Sequence, residues 1–246
     1  MPRERGRRTG VAFVVGTCLA AAVAGQTDPH PTPRQPSTAE QKRGSAEAPT
    51  HAPHLVLHPS LAFAHVQAGN AAAVAALAAG KQAPAPAPRP TGAGKYVVAV
   101  LVCADADVEV APLLGLARAD VLVVATPGPF ASPETAALLE RTVATERLCL
   151  VVVLGHPGCA AAAARATDVL ERRFTAARTE AQRRQQPLPK TLACLQTELL
   201  LATSAVLQKA VQADTLRILP AELDARSGRI TWHHQRADVM PLAPVK

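Results

Sequence analysis

Three uninterrupted apolar runs mark the chain: residues 96–103 (YVVAVLVC), 121–125 (VLVVA) and 148–155 (LCLVVVLG). A strand with one wet face alternates apolar and polar residues, so runs without alternation predict parallel strands covered on both faces. Between the second and third, residues 133–146 fit a helix capped by Ser132 with Pro133 at its first position. Residues 159–184 and 192–213 predict further helices. TLRILPAELD and GRITWHH flank the turn Ala225-Arg226-Ser227-Gly228 and predict a strand with its hairpin return. The expected fold class is α/β: a three-layer domain with a mainly parallel central sheet flanked by helices.

The chain ahead of this pattern is organised differently. Residues 60–80 (SLAFAHVQAGNAAAVAALAAG) have helical composition, with a break expected near Gly69-Asn70, and lead into the Pro/Ala segment 82–90. Residues 60–90 therefore read as an N-terminal helical arm and linker, of the kind that packs on a neighbouring surface. Residues 25–59 are rich in Pro, Thr, Ser, Gln and charge, with too little apolar surface to offset their ordering entropy, and read as a disordered Pro-rich tether. His51, His54, His58 and His65 follow one another irregularly, with prolines between the first three, which favours a solvated linker over metal scavenging. Residues 1–24 read as an export signal, with a basic start, an apolar run from 11 to 24 and the small-residue exit Ala22-Val23-Ala24. The run is too short to span a bilayer comfortably, so an exported protein, periplasmic or secreted, with no stable membrane span after signal removal is expected. Arg7-Arg8 lacks the flanks of a twin-arginine route, and Thr17 before Cys18 argues against lipid attachment.

Composition narrows the function. Aromatic residues make up 2% of the chain against 48% hydrophobic, so the core has to be built from Ala, Val and Leu. The net charge is +7, of which Arg3, Arg5, Arg7 and Arg8 against Glu4 supply +3 at the extreme N-terminus. What remains forms no basic stripe with stacking aromatics, which argues against nucleic acid as a partner.

Two short segments carry candidate chemistry: Cys103-Ala104-Asp105 and Gly155-His156-Pro157-Gly158-Cys159. Both stand at the C-terminal ends of expected parallel strands, the edge of an open α/β sheet where ligands collect. Two thiolates and an imidazole suit tetrahedral zinc and leave a fourth position for water or for Asp105. Spacing alone is also compatible with two buried core cysteines and a satisfied histidine.

These segments and their surroundings resemble the β-class carbonic anhydrases. Cys103-x-Asp105, the strand 119–125, Glu140 in its helix and LGHPGCAA at 154–161 follow that family's order and spacing. QTELLLATSAVLQKAVQADTLRI and ELDARSGRI look like its last helix and closing strands, and AGN at 68–70 with Gly80-Lys81 looks like its N-terminal arm. The resemblance covers residues 62–233 and implies a zinc domain over about residues 91–240. It implies zinc held by Cys103, His156 and Cys159, and reversible hydration of carbon dioxide to bicarbonate by zinc-bound hydroxide. Asp105 matches the aspartate that accepts a hydrogen bond from the zinc-bound water or, in closed forms, binds the metal. A homodimer or higher homo-oligomer, with the site near the subunit boundary, is implied as well.

The match departs at one important position. The family pattern is Cys-x-Asp-x-Arg, and Asp107 stands where the arginine belongs. An arginine there clamps the aspartate by a charge-assisted contact and keeps it off the metal. Repulsion from Asp107 is expected to push Asp105 towards the cation instead, making it a fourth ligand and slowing or abolishing hydration; Arg118 and Arg165 are the cations that would otherwise serve. Thr126-Pro127-Gly128-Pro129-Phe130 replaces the family's Arg-Asn-Ala-Gly-Asn loop, and Ala160 replaces a glycine. Two other functions compete. One is a non-catalytic zinc-binding protein on the same scaffold. The other is a nucleotide-binding α/β protein, suggested by Gly155-x-x-Gly158 before a helix and weakened by the absence of a first glycine pair and of a ribose-binding acid. Cys149 and Cys194 read as packed small hydrophobes, with a disulfide between them open after export. Arg141, Arg147, Arg172, Arg173, Arg183 and Arg184 read as solvated helix faces.

Overall fold

In a computed structural model, the described residues are 56–159 and 168–233. The chain divides into a first unit, Met1–Thr50, outside those residues, and a second, His51–Lys246, which holds everything below. The expected export signal, most of the tether with His51 and His54, and the chain beyond residue 233 lie outside the described residues.

The first apolar run becomes β1, Val98–Cys103, buried at every residue. Successive side chains of a strand point to opposite faces. Val98, Val100 and Val102 accordingly enter one hydrophobic cluster, and Ala99 and Leu101 another. The same division recurs in β3, Leu150–Gly155, where Val152 and Leu154 face one way and Val151 and Val153 the other. Coverage on both faces is why neither strand alternates. With β2 (Val121–Thr126), β4 (Arg217–Asp224) and β5 (Arg229–Trp232), the sheet runs β2-β1-β3-β4-β5, parallel except for the last pair. β5 returns through the expected turn, where Asp224 accepts from the Arg226 N–H and the Ser227 hydroxyl.

One face is covered by α1 (Pro59–Ala78) and α2 (Val110–Leu113). The other carries α3 (Pro133–Glu146), α5 (Leu188–Thr203) and α6 (Ala205–Gln212), with α4 (Asp168–Arg184) packed on α5. This is the three-layer α/β arrangement expected. Ser132 caps α3 as its spacing suggests, accepting from the Thr135 N–H at 3.2 Å.

Two helix expectations change. α1 is not broken at Gly69-Asn70: Gly69 lies against the backbone of Leu114 and Gly115, with no room for a Cβ, and Asn70 is buried. The Asn70 amide donates to the carbonyls of Leu113 and Gly228 at 3.0 and 2.8 Å and accepts from the Ile230 N–H at 3.0 Å. Polar and helix-breaking letters here serve long-range packing. The run 192–213 begins earlier, at Leu188, and divides at Ser204, whose extended backbone and hydroxyl cap α6 through the Leu207 N–H. The Ser204 hydroxyl also donates to Glu140 of α3. By length and composition α1 could cross a membrane; Asn70 and Phe63, stacked edge-on at 5.3 Å from Trp232, tie it to the sheet. The linker after it is anchored too, because Arg89 pairs with Asp120 and the Ala87 N–H reaches the Gly115 carbonyl.

Candidate metal centre

β1 and β3 are parallel neighbours, with Val102 level with Leu154. Their C-terminal ends therefore deliver Cys103 and His156 side by side. A single 3₁₀ turn, Ala104–Ala106, follows β1 and swings Asp105 back over the thiol; the chain then leaves through Asp107, which holds a left-handed φ of 48° and is exposed. Beyond His156 the turn Pro157-Gly158 returns Cys159 to the same point.

The sequence-derived residues converge. Cys103 Sγ, Asp105 Oδ1, His156 Nε2 and Cys159 Sγ all lie within 4.8 Å of one another. The two sulfurs are 3.4 Å apart, and Asp105 Oδ1 lies 3.7 Å from His156 Nε2 and 3.8 Å from Cys159 Sγ. The Cys103 thiol donates to Asp105. His156 is 6% exposed, and its Nδ1 meets the Pro157 carbonyl at 3.0 Å, which assigns the proton to Nδ1 and leaves a lone pair on Nε2. That Nε2 is buried without a hydrogen-bond partner. A buried polar atom without a partner carries a penalty of about 1–3 kcal/mol, which a cation among these donors would remove. The S₂N set with a carboxylate is chemistry that fits zinc.

Burial, followed by the Asp105 carboxylate, pushes the Cys103 thiol up to about 12. At neutral pH that proton has to leave for the sulfur to bind a cation. Zinc uptake at pH 7 is therefore expected to release protons, and apparent affinity to rise about tenfold per pH unit for each proton released. Calorimetry in two buffers of different ionisation enthalpy checks this; a heat independent of buffer contradicts it.

The surroundings include residues that sequence reasoning did not assign. The Gly128 N–H donates to Cys103 Sγ at 3.1 Å. Phe130, Phe174, Ala177 and Leu192 form an apolar cluster that includes the partly buried Cys159, and the two phenyl rings meet edge-on at 4.9 Å. The readable signal for Gly128 was its place just after β2, where Thr126 is the register partner of Cys103. Arg118 pairs with Glu109 at 2.9 Å; Arg165 and Ala160 lie outside the described residues. Gly155 sits against the Pro189 backbone, where a Cβ would lie 2.3 Å from the carbonyl oxygen, so this glycine is explained by close packing of β3 on α5. Cys149 is buried just ahead of β3 and Cys194 lies part-buried on α5, and both are free thiols.

No protein-family model matches the chain, and no curated protein does. Solved structures do. The wild-type β-carbonic anhydrase CafD of the fungus Aspergillus fumigatus matches at 17% identity with a TM-score of 0.51, covering 61% of this chain and 95% of that one. A point variant of the same protein gives 18%, 0.51, 62% and 95%. A β-carbonic anhydrase of Coccomyxa, solved with acetazolamide, gives 19% identity and a TM-score of 0.46 over 69% of this chain and 81% of that one. This domain has the β-carbonic anhydrase fold.

Proposed function

We propose that the protein is a zinc-dependent carbonic anhydrase-like protein in which Asp105 governs access to the metal, so that hydration of carbon dioxide to bicarbonate is slow. The observation that carries this reading is the convergence of four donor atoms within 4.8 Å, among them the buried Nε2 of His156, which has no hydrogen-bond partner. Cys103, His156 and Cys159 would hold the ion, with Asp105 as the fourth donor. Zinc there supplies a Lewis acid that makes a nucleophile from water at neutral pH.

What the chain's own residues do follows from their placement. The Nδ1 contact of His156 keeps Nε2 facing the sulfurs, and the Phe130–Phe174 pair lines the Cys159 side with apolar surface that suits a small uncharged substrate. Asp105 would have to rotate away from the sulfurs to leave a position for water, and its carboxylate would then serve as a hydrogen-bond acceptor beside that position. Asp107, two residues on, offers a second negative charge in place of a clamp. The resting position of Asp105 among the donors also supports a second reading, a non-catalytic zinc-binding protein.

Zinc content measured together with carbon dioxide hydration from pH 7 to about 9, where a zinc-activated water ionises, tests both. One zinc per chain with measurable hydration supports the enzyme, one zinc with none supports the second reading, and no zinc removes both. In D107R, hydration is expected to rise about tenfold. Because arginine is strained at a left-handed φ, D107N is the companion: it removes the charge, and asparagine tolerates that backbone. Unchanged rates in both would show that Asp107 does not control Asp105.

The basic and then apolar start of the chain supports export. The exposed edge of β2, where Val123 is 44% exposed, supports self-association.

A further inference from the structure

The last residue of β2, Thr126, is the register partner of Cys103 at the end of β1, so the chain after Thr126 comes down beside the Cys103 thiol. That chain is Pro127-Gly128-Pro129. Prolines on both sides restrict the backbone, and Gly128 holds φ +75°, a conformation side-chain-bearing residues rarely adopt. Its carbonyl accepts from two donors, the Thr126 hydroxyl at 2.5 Å and the Phe130 N–H at 2.7 Å. Its N–H is directed at Cys103 Sγ at 3.1 Å. A Cβ at this position would lie 2.7 Å from the Phe130 ring and 2.9 Å from the Phe174 ring, so both aromatics press the turn into place.

We propose that Thr126 and Gly128 position the metal donor Cys103: the Thr126 hydroxyl locks the turn, and the Gly128 N–H holds the sulfur in the orientation in which it binds the ion. The proposal rests on the zinc reading above and deepens it. Gly128 touches the sulfur, and Thr126 acts through Gly128. An N–H donor to a thiolate is charge-assisted, and groups that orient a metal ligand in this way commonly account for 10- to 100-fold in affinity.

The test uses the full chain, with zinc and cobalt(II) as probes. Thr126→Val keeps the β-branched shape that suits a strand end and deletes the donor, whereas Thr126→Ser keeps the donor. T126V is expected to bind zinc about tenfold more weakly in competition with a chelator. Its thiolate-to-cobalt charge-transfer band should shift and T126S should restore both properties, whatever small fall the loss of one hydrogen bond brings to the metal-free unfolding midpoint. A hydroxyl that only supports the fold would lower that midpoint and leave the band in place, and this result overturns the proposal. So does T126V with wild-type affinity and band. If T126V does not fold, Thr126→Ala deletes the same donor and is read by the same criteria. A wild-type protein that takes up neither ion overturns the zinc reading along with the positioning role, whereas normal wild-type uptake with an unaffected T126V overturns the positioning role alone.

Discussion

A His156→Ala variant is expected to purify without stoichiometric zinc and to bind it two to three orders of magnitude more weakly than the parent chain. Structural zinc sites bind with about 10–16 kcal/mol at neutral pH, so each of four donors carries about 2.5–4 kcal/mol. Deleting the imidazole removes one donor and also the buried Nε2 that lacks any other partner. In the metal-free fold, the loss of a nitrogen whose burial opposes folding offsets part of the cost of removing the buried ring and its Nδ1 hydrogen bond to Pro157. Cys159→Ser should weaken zinc as well, since a hydroxyl is a poor substitute for a thiolate, and should leave the metal-free protein close to its parent in stability. Chelator competition and metal analysis read both variants; full zinc occupancy in H156A would remove His156 from the site.

Replacing Asn70 by leucine is expected to cost about 3–5 kcal/mol, much of the stability of a domain this size. The amide satisfies the carbonyls of Leu113 and Gly228 and the N–H of Ile230, three backbone groups on two separate segments. Leucine satisfies none of them, and each orphaned buried group carries about 1–3 kcal/mol. Urea unfolding followed by the fluorescence of Trp232, the chain's one tryptophan, reports the loss directly. A change below about 1 kcal/mol would mean that water replaces the amide at all three positions.

The two predictions differ in how far the residues announced themselves. β1 and β3 were legible because burial on both faces forces continuous apolar runs, whereas β2 carries such a run at the sheet edge, with Val123 and Ala125 exposed rather than covered on both faces as expected. That Cys103 and His156 would meet was legible because strand ends in such a sheet gather at one edge, but spacing alone also fitted buried core residues, and their reading as zinc ligands came from the resemblance. Asn70 was not. Its partners are distant in sequence, and in a local window an Asn after a Gly reads as a helix break. Ser204 misled in the opposite sense, since an alanine- and leucine-rich run conceals a cap whose second partner, Glu140, belongs to another helix. Gly128 fell between these cases: its motif was visible as an unusual turn, but its role required the β1–β2 register, which places Thr126 opposite Cys103.

α1 contributes no metal donor, yet Ala62, Phe63 and Val66 are buried in the same cluster as Val98, Val100 and Val102 of β1. A shortened chain beginning at the first strand would keep Cys103, Asp105, His156 and Cys159 while uncovering the part of that sheet face on which α1 packs. Contiguous apolar surface of that kind draws molecules together, so such a fragment is expected to precipitate before its metal content can be measured. The smallest workable unit for studying the metal is thus set by a helix remote from it, and any trimming from the N-terminus has to stop ahead of Leu57.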